Sequence, residues 1–115
     1  MSAITNPTAS AGLPIVADVN LINGVTNLGG DFLNATRSLS NGIVTLTGLV
    51  VAPAQNLVIT VLPEGWRPNG KVRLYQVAGA VSLAAIDISP NGEVVLFGPN
   101  IDINCSICGS FIAQQ

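Results

Sequence analysis

Charge is scarce in this chain, and histidine is absent. Four basic and six acidic residues make up 9% of 115 and leave a formal net charge of −2. A soluble domain ordinarily carries about 25% charged residues. The ten are Asp18, Asp31, Arg37, Glu64, Arg67, Lys71, Arg73, Asp87, Glu93 and Asp102. Four scattered cations cannot form the basic stripe that neutralises phosphates, so no nucleic-acid partner is expected. Without imidazole, catalytic triads and metal sites built on histidine are excluded. Cysteine occurs twice, at Cys105 and Cys108, too few for a disulfide framework. Long apolar runs are missing too. Residues 38–63 are free of charge, but Ser, Asn, Thr, Gln and Pro interrupt them. No stretch reaches the ~18 to 20 apolar residues of a spanning helix, so membrane insertion is not expected. The N-terminus lacks the basic and apolar segments of a cleaved signal.

What is present is apolar. Hydrophobic residues make up 49% of the chain, which argues against disorder. The length allows one domain. A domain so small buries only about two-thirds of the surface its unfolded chain exposes, so association with other subunits is a natural way to gain burial.

The composition shifts near residue 40. Residues 1–40 are rich in Asn, Ser, Thr, Ala and Gly, and their short apolar groups keep no helical period. The alternation Val19, Leu21, Asn23 is compatible with a short strand. This part reads as an extended arm that lies on another surface. Residues 41–115 read as all-β, with strands expected over 42–51, 57–62, 72–77, 81–88, 93–97 and 101–112. In the third, Arg73 and Tyr75 share one face and Val72 and Leu74 the other. Asn-Gly occurs at 41–42, 69–70 and 91–92. That pair favours the positive φ angles of type I′ hairpins, and Ser89-Pro90-Asn91-Gly92 is the clearest hairpin turn. Short strands at this spacing predict a small antiparallel β-sandwich or jelly-roll-like module with an extended N-terminal arm.

Candidate chemistry is thin. Cys105-Ser106-Ile107-Cys108 has the spacing of half a zinc site, but no further Cys or His completes it. Residues i and i+3 of a strand point to opposite faces, which argues against a disulfide and for packing roles. Glu64, Asp87, Glu93 and Asp102 could supply a carboxylate pair for glycoside hydrolysis, though the plainer reading is that they solvate turns and strand edges. Asn34-Ala35-Thr36 and Asn104-Cys105-Ser106 match the glycosylation pattern by chance in the absence of a signal. No catalytic, cofactor-binding or metal-ligating residue, and no cofactor, is assigned. An enzyme is not expected.

The segment Leu62-Pro63-Glu64-Gly65-Trp66-Arg67-Pro68 is the most informative. Pro63 ends a strand. Gly65 suits the positive φ of a tight turn. Trp66 can cap one end of the sandwich, with Arg67 stacked on it or bonded to exposed carbonyls. Trp66 and Arg67 are also residue types favoured at contact hot spots. Together with Val44-Thr45-Leu46-Thr47-Gly48, Ile86-Asp87-Ile88 and Asn91-Gly92-Glu93-Val94, it resembles the β-sandwich module of bacteriophage tail-fibre tips and other virion appendages. Ser106-Ile107-Cys108-Gly109-Ser110-Phe111 is similar to the family's common ending, with Cys108 in place of Asp and one residue fewer before Phe111. The resemblance covers roughly residues 41–113.

That resemblance implies a non-enzymatic virion protein, usually a homotrimer, made in the host cytoplasm. Small apolar residues such as Val77, Ala78, Ala80, Val81, Leu83, Ala84 and Ala85 could be buried around a threefold axis. The charges of Glu64, Arg67, Lys71 and Arg73 mark the solvent-facing end. Two roles are open. One is a capsid decoration or cement knob, held to a major capsid or tail protein through residues 1–40. The other is a tail-fibre tip that recognises a host glycan or protein receptor. Chain length and the few aromatics favour the first.

Overall fold

The computed structural model describes residues 14–79, 82–98 and 102–114. It contains eleven strands: β1 (Ile15–Asp18), β2 (Thr26–Asn27), β3 (Thr36–Ser40), β4 (Ile43–Thr47), β5 (Leu49–Val51), β6 (Leu57–Val61), β7 (Val72–Ala78), β8 (Ser82–Ile88), β9 (Glu93–Phe97), β10 (Asn104–Ser106) and β11 (Gly109–Ile112). No helix occurs among the described residues, so none is long and apolar enough to cross a membrane. All pairings are antiparallel. One sheet runs β1-β3-β4-β11 and the other β2-β5-β10-β7-β8-β9-β6.

The two sheets share one core. Val44, Leu46 and Phe111 of the small sheet and Val50, Ile59, Ile86, Ile88, Val94 and Leu96 of the large one belong to a single buried cluster. Alternation produces it. In β4, Val44 and Leu46 are buried while Ile43 and Thr47 are exposed, the period-2 pattern of a sheet with one face inside. The expected β-sandwich is therefore the observed fold.

Turn chemistry sets two hairpins. Asn41 (φ 52°) and Gly42 (φ 78°) form a two-residue loop between Ser40 and Ile43, as a type I′ turn requires. At 89–92 only Gly92 has positive φ. Pro90 fixes its own φ near −65°, so the chain takes a type I turn, Gly92 N–H donating to Ser89 O at 2.8 Å.

Two expected strands are each divided between the sheets. The run 43–51 leaves the small sheet at Thr47 and enters the large one at Leu49; its partner 104–112 crosses in the opposite sense. The crossing needs glycine on both runs. A Cβ on Gly48 (φ 144°) would stand 2.6 Å from Ala35 Cα, and one on Gly109 (φ 145°) 2.7 Å from Leu74 Cδ1. Gln76 holds the crossing from the core side. Its Nε2 donates to Cys108 O at 2.7 Å and to Leu74 O at 3.3 Å, while its Oε1 accepts from Cys108 N at 2.7 Å and Ser106 Oγ at 2.8 Å.

The division at residue 40 is not a boundary in the described chain. Strands β1 and β3 form half of the small sheet, and Val19, Val25 and Ala35 are buried in the common core. These apolar groups carry no period because each is buried by a different tertiary contact. Residues 19–23 are not a strand. They run along the edge of β6, where Ile22 N–H donates to Ile59 O at 2.9 Å and Asn23 Nδ2 to Val58 O at 2.8 Å. The first part of the expected arm, residues 1–13, lies outside the described residues.

Candidate interaction surface

The corner 62–68 is structural. Trp66 N–H donates to Pro63 O at 3.1 Å with Gly65 at φ 89°, the geometry of a type II turn. Trp66 is buried in the core cluster. The cation over its ring is Arg37 of β3, 4.2 Å from the centroid, and not Arg67. Arg67 instead donates from Nε to Leu62 O at 2.8 Å. Leu62 N–H in turn donates to Gly92 O at 2.8 Å, and Gln114 N–H to Arg67 O at 2.8 Å. The motif thus fastens one end of the sandwich, and Trp66 offers no face to a partner.

Of the four candidate carboxylates, only Asp87 and Glu93 lie on neighbouring strands. Glu64 lies in the type II turn, Asp87 mid-sheet on β8, Glu93 at the start of β9 and Asp102 in the loop before β10. Asp87 is buried and takes a bidentate contact from Arg73, Nε to Oδ1 at 2.6 Å and Nη2 to Oδ2 at 2.9 Å. That hydrogen bonding holds its carboxyl below the usual range although burial pushes the other way. A carboxyl kept ionised is unsuited to act as a general acid. Cys105 is fully buried and Cys108 exposed, and both are free thiols. Burial, then the nearby Cys108, pushes the Cys105 thiol up to about 11. Among the described residues, no three of His, Cys, Asp and Glu stand together.

The outer face of the large sheet is a different matter. Register aligns three rows across it: Val77 opposite Leu83; Tyr75, Ala85 and Phe97; then Arg73, Asp87 and Val95. Leu83 is 79% exposed, Tyr75 73% and Val77 50%. Tyr75, Leu83, Ala84, Ala85, Phe97 and Gly98 line a shallow depression of about 230 Å³. Arg73 lies at its rim, 5.5 Å from the Phe97 centroid. Of the residues expected to be covered around a threefold axis, Val77 and Leu83 do face outward. Ala78, Ala84 and Ala85 are already buried within the chain, and Ala80 and Val81 lie outside the described residues.

This architecture has a solved counterpart. The receptor binding protein (gp15) of Listeria phage PSA superposes with a TM-score of 0.77, covering 91% of this chain and 68% of that one at 12% identity. At that identity the likeness is one of fold. No family model matches the chain, and no curated protein matches it.

The likeness spans both sheets, whose outer faces differ chemically. The small sheet presents Ser38, Thr45 and Ser110 in one row, with Thr45 Oγ1 and Ser110 Oγ hydrogen-bonded at 2.9 Å. A second depression, about 200 Å³, lies where the strands cross between sheets, lined by Phe32, Leu33, Thr47, Gly48, Leu49 and Cys108. The sequence did not single out Tyr75 and Phe97 as a pair, because only register sets β7 and β9 on either side of Ala85. The alternation of Arg73, Tyr75 and Val77 on one face of β7 was the signal available.

Proposed function

We propose that this chain is a non-enzymatic structural module of a bacteriophage virion, acting as a homotrimer in a tail appendage that recognises the host surface. The observation that carries the reading is the fold, shared over 91% of the chain with a phage receptor binding protein. The ordered motifs at 44–48, 62–68 and 86–94 point the same way. The non-enzymatic part is supported by the engagement of Asp87 by Arg73. A capsid decoration knob is the second reading, favoured by the scarcity of charge, which suits a surface covered in assembly. Labelled protein mixed with host cells tests the first: saturable binding that blocks phage adsorption is expected. Immunolabelling of particles separates the two readings, since label confined to the tail tip supports receptor recognition. Label spread over the whole shell, with no binding to cells, would overturn it.

A further inference from the structure

We propose that this chain is mounted by the end from which its termini leave and meets its ligand with the opposite end, a tip that bears no cation. The inference rests on the virion-appendage reading and deepens it by giving the module a polarity. Register fixes the mounted end. Ile15, Leu39, Val44 and Phe111 lie in one row across β1, β3, β4 and β11. The described chain therefore enters and leaves at the same end of the small sheet, three strand spacings or about 14 Å apart. The exit is fastened there: Ala113 N–H donates to Gly42 O and Gln114 N–H to Arg67 O, both at 2.8 Å. Whatever precedes residue 14 or follows residue 114 departs from this end.

Two runs lead to the other end. The run 43–51 carries the chain up to about 27 Å, at ~3.4 Å per residue, to Val51 opposite Asn104. β7 likewise ends at Ala78, opposite Cys105. Here the loop 53–56 is exposed. It is flanked by Asp102, whose N–H donates to Ala52 O at 3.0 Å, and by Gly24, where an added Cβ would stand 3.2 Å from Pro53 Cγ.

Charge sorts the two ends. Glu64, Lys71 and Glu93 are exposed around the mounted end, and Arg67 is bonded to Leu62 O beside them. None of the four cations of the chain reaches the tip: Arg67 and Lys71 belong to the mounted end, Arg37 lies over Trp66, and Arg73 is paired with Asp87. Exposed charges of both signs fit a protein partner that presents complementary pairs. A tip whose described residues carry a single charge, Asp102, repels polyanions. The amides of Gln55 and Asn56, each donor and acceptor at once, suit an uncharged, hydroxyl-bearing ligand. The sequence reading gives the charged end to solvent and the anchor to the N-terminal part. Register puts both at one end, and the tether assigns that end to mounting.

The test compares phage particles assembled with each variant and the binding of labelled variants to host cells, with circular dichroism to show that each variant is folded. Ala54→Tyr and, independently, Gln55→Tyr add bulk to the exposed tip loop. Each is expected to weaken cell binding at least about 10-fold and to enter particles like wild type. Glu64→Arg combined with Glu93→Arg is expected to do the opposite, lowering incorporation at least about 10-fold while cell binding stays native. Polyphosphate should not compete for cells, and raising NaCl from about 0.05 to 0.5 M should change wild-type cell binding less than about two-fold. Tip variants that both bind cells like wild type, a charge-reversed protein incorporated like wild type, or displacement by polyphosphate overturns the proposal. A wild type that binds no cells removes the host-surface reading and the tip's ligand with it, while incorporation still decides the mounted end.

Discussion

Replacing Gln76 by methionine tests whether one side chain holds the place where the chain changes sheets. Gln76 is 3% exposed, and its amide group satisfies Cys108 N–H and C=O and accepts from Ser106 Oγ. Methionine keeps the volume, so little cavity forms. What is lost is polar: two backbone groups of Cys108 are left without partners at the crossing. Each orphaned group of this partly buried pair costs about 1–3 kcal/mol, giving a loss of roughly 2–6 kcal/mol. Against a total stability of about 5–15 kcal/mol this is large. At about 4 °C per kcal/mol, the melting temperature should fall by roughly 8–24 °C. Thermal and urea unfolding followed by Trp66 fluorescence measure it. Gln76→Glu supplies a second arm. Its carboxylate cannot donate to Cys108 O, but the neutral acid can. Its folded pKa is therefore raised, and its stability should recover as pH falls. A Gln76→Met protein that loses less than about 1 kcal/mol would refute the reasoning, as would a Glu variant indifferent to pH.

Two further predictions concern titration and thiols. The Asp87 carboxyl is depressed in the folded state by Arg73, so its contribution to stability is complete above the unfolded carboxylate range near about 4 and is lost as pH falls through the lower folded value. Asp87→Asn should flatten the acid limb of the stability curve below about pH 4; an unchanged limb would mean that the pair contributes nothing. At about pH 8 a maleimide should label one thiol per native chain, at Cys108, because Cys105 is fully buried with its pKa pushed up to about 11. Two labels per native chain would contradict that burial.

The parts of the fold legible in the sequence are those written in local chemistry. Asn41-Gly42 set a hairpin, Pro63 and Gly65 set a turn, and β6 to β9 announced themselves by β-branched runs. The crossing at Gly48 was not legible, because 43–51 is uniformly strand-like and only a φ of 144° marks the change of sheet. The integration of β1 and β3 was hidden for another reason. Their apolar residues are few, and tertiary contact rather than local pattern buries Val19, Val25 and Ala35. Two signals were available and unused. Gln76 interrupts the inward series Val72, Leu74 and Ala78, the position where a polar side chain needs a built partner. Asn23-Gly24 is a further Asn-Gly pair with both residues at positive φ. For the interaction surface, composition raised only an expectation of assembly, and the outer face itself emerges only from register.

The paired crossing has a consequence for synthesis. Residues 104–112 pair with 43–51 in both sheets, so the large sheet is incomplete until residue 106 has been made and the small one until residue 112. Chain that has emerged earlier carries β4 and β5 with open edges, together with the apolar face of β7 to β9. Non-local pairing of this kind delays folding and leaves strand edges exposed to neighbouring chains. In the cell, nascent chains on one message must therefore be kept apart, or must meet productively, during the interval before their last strands arrive.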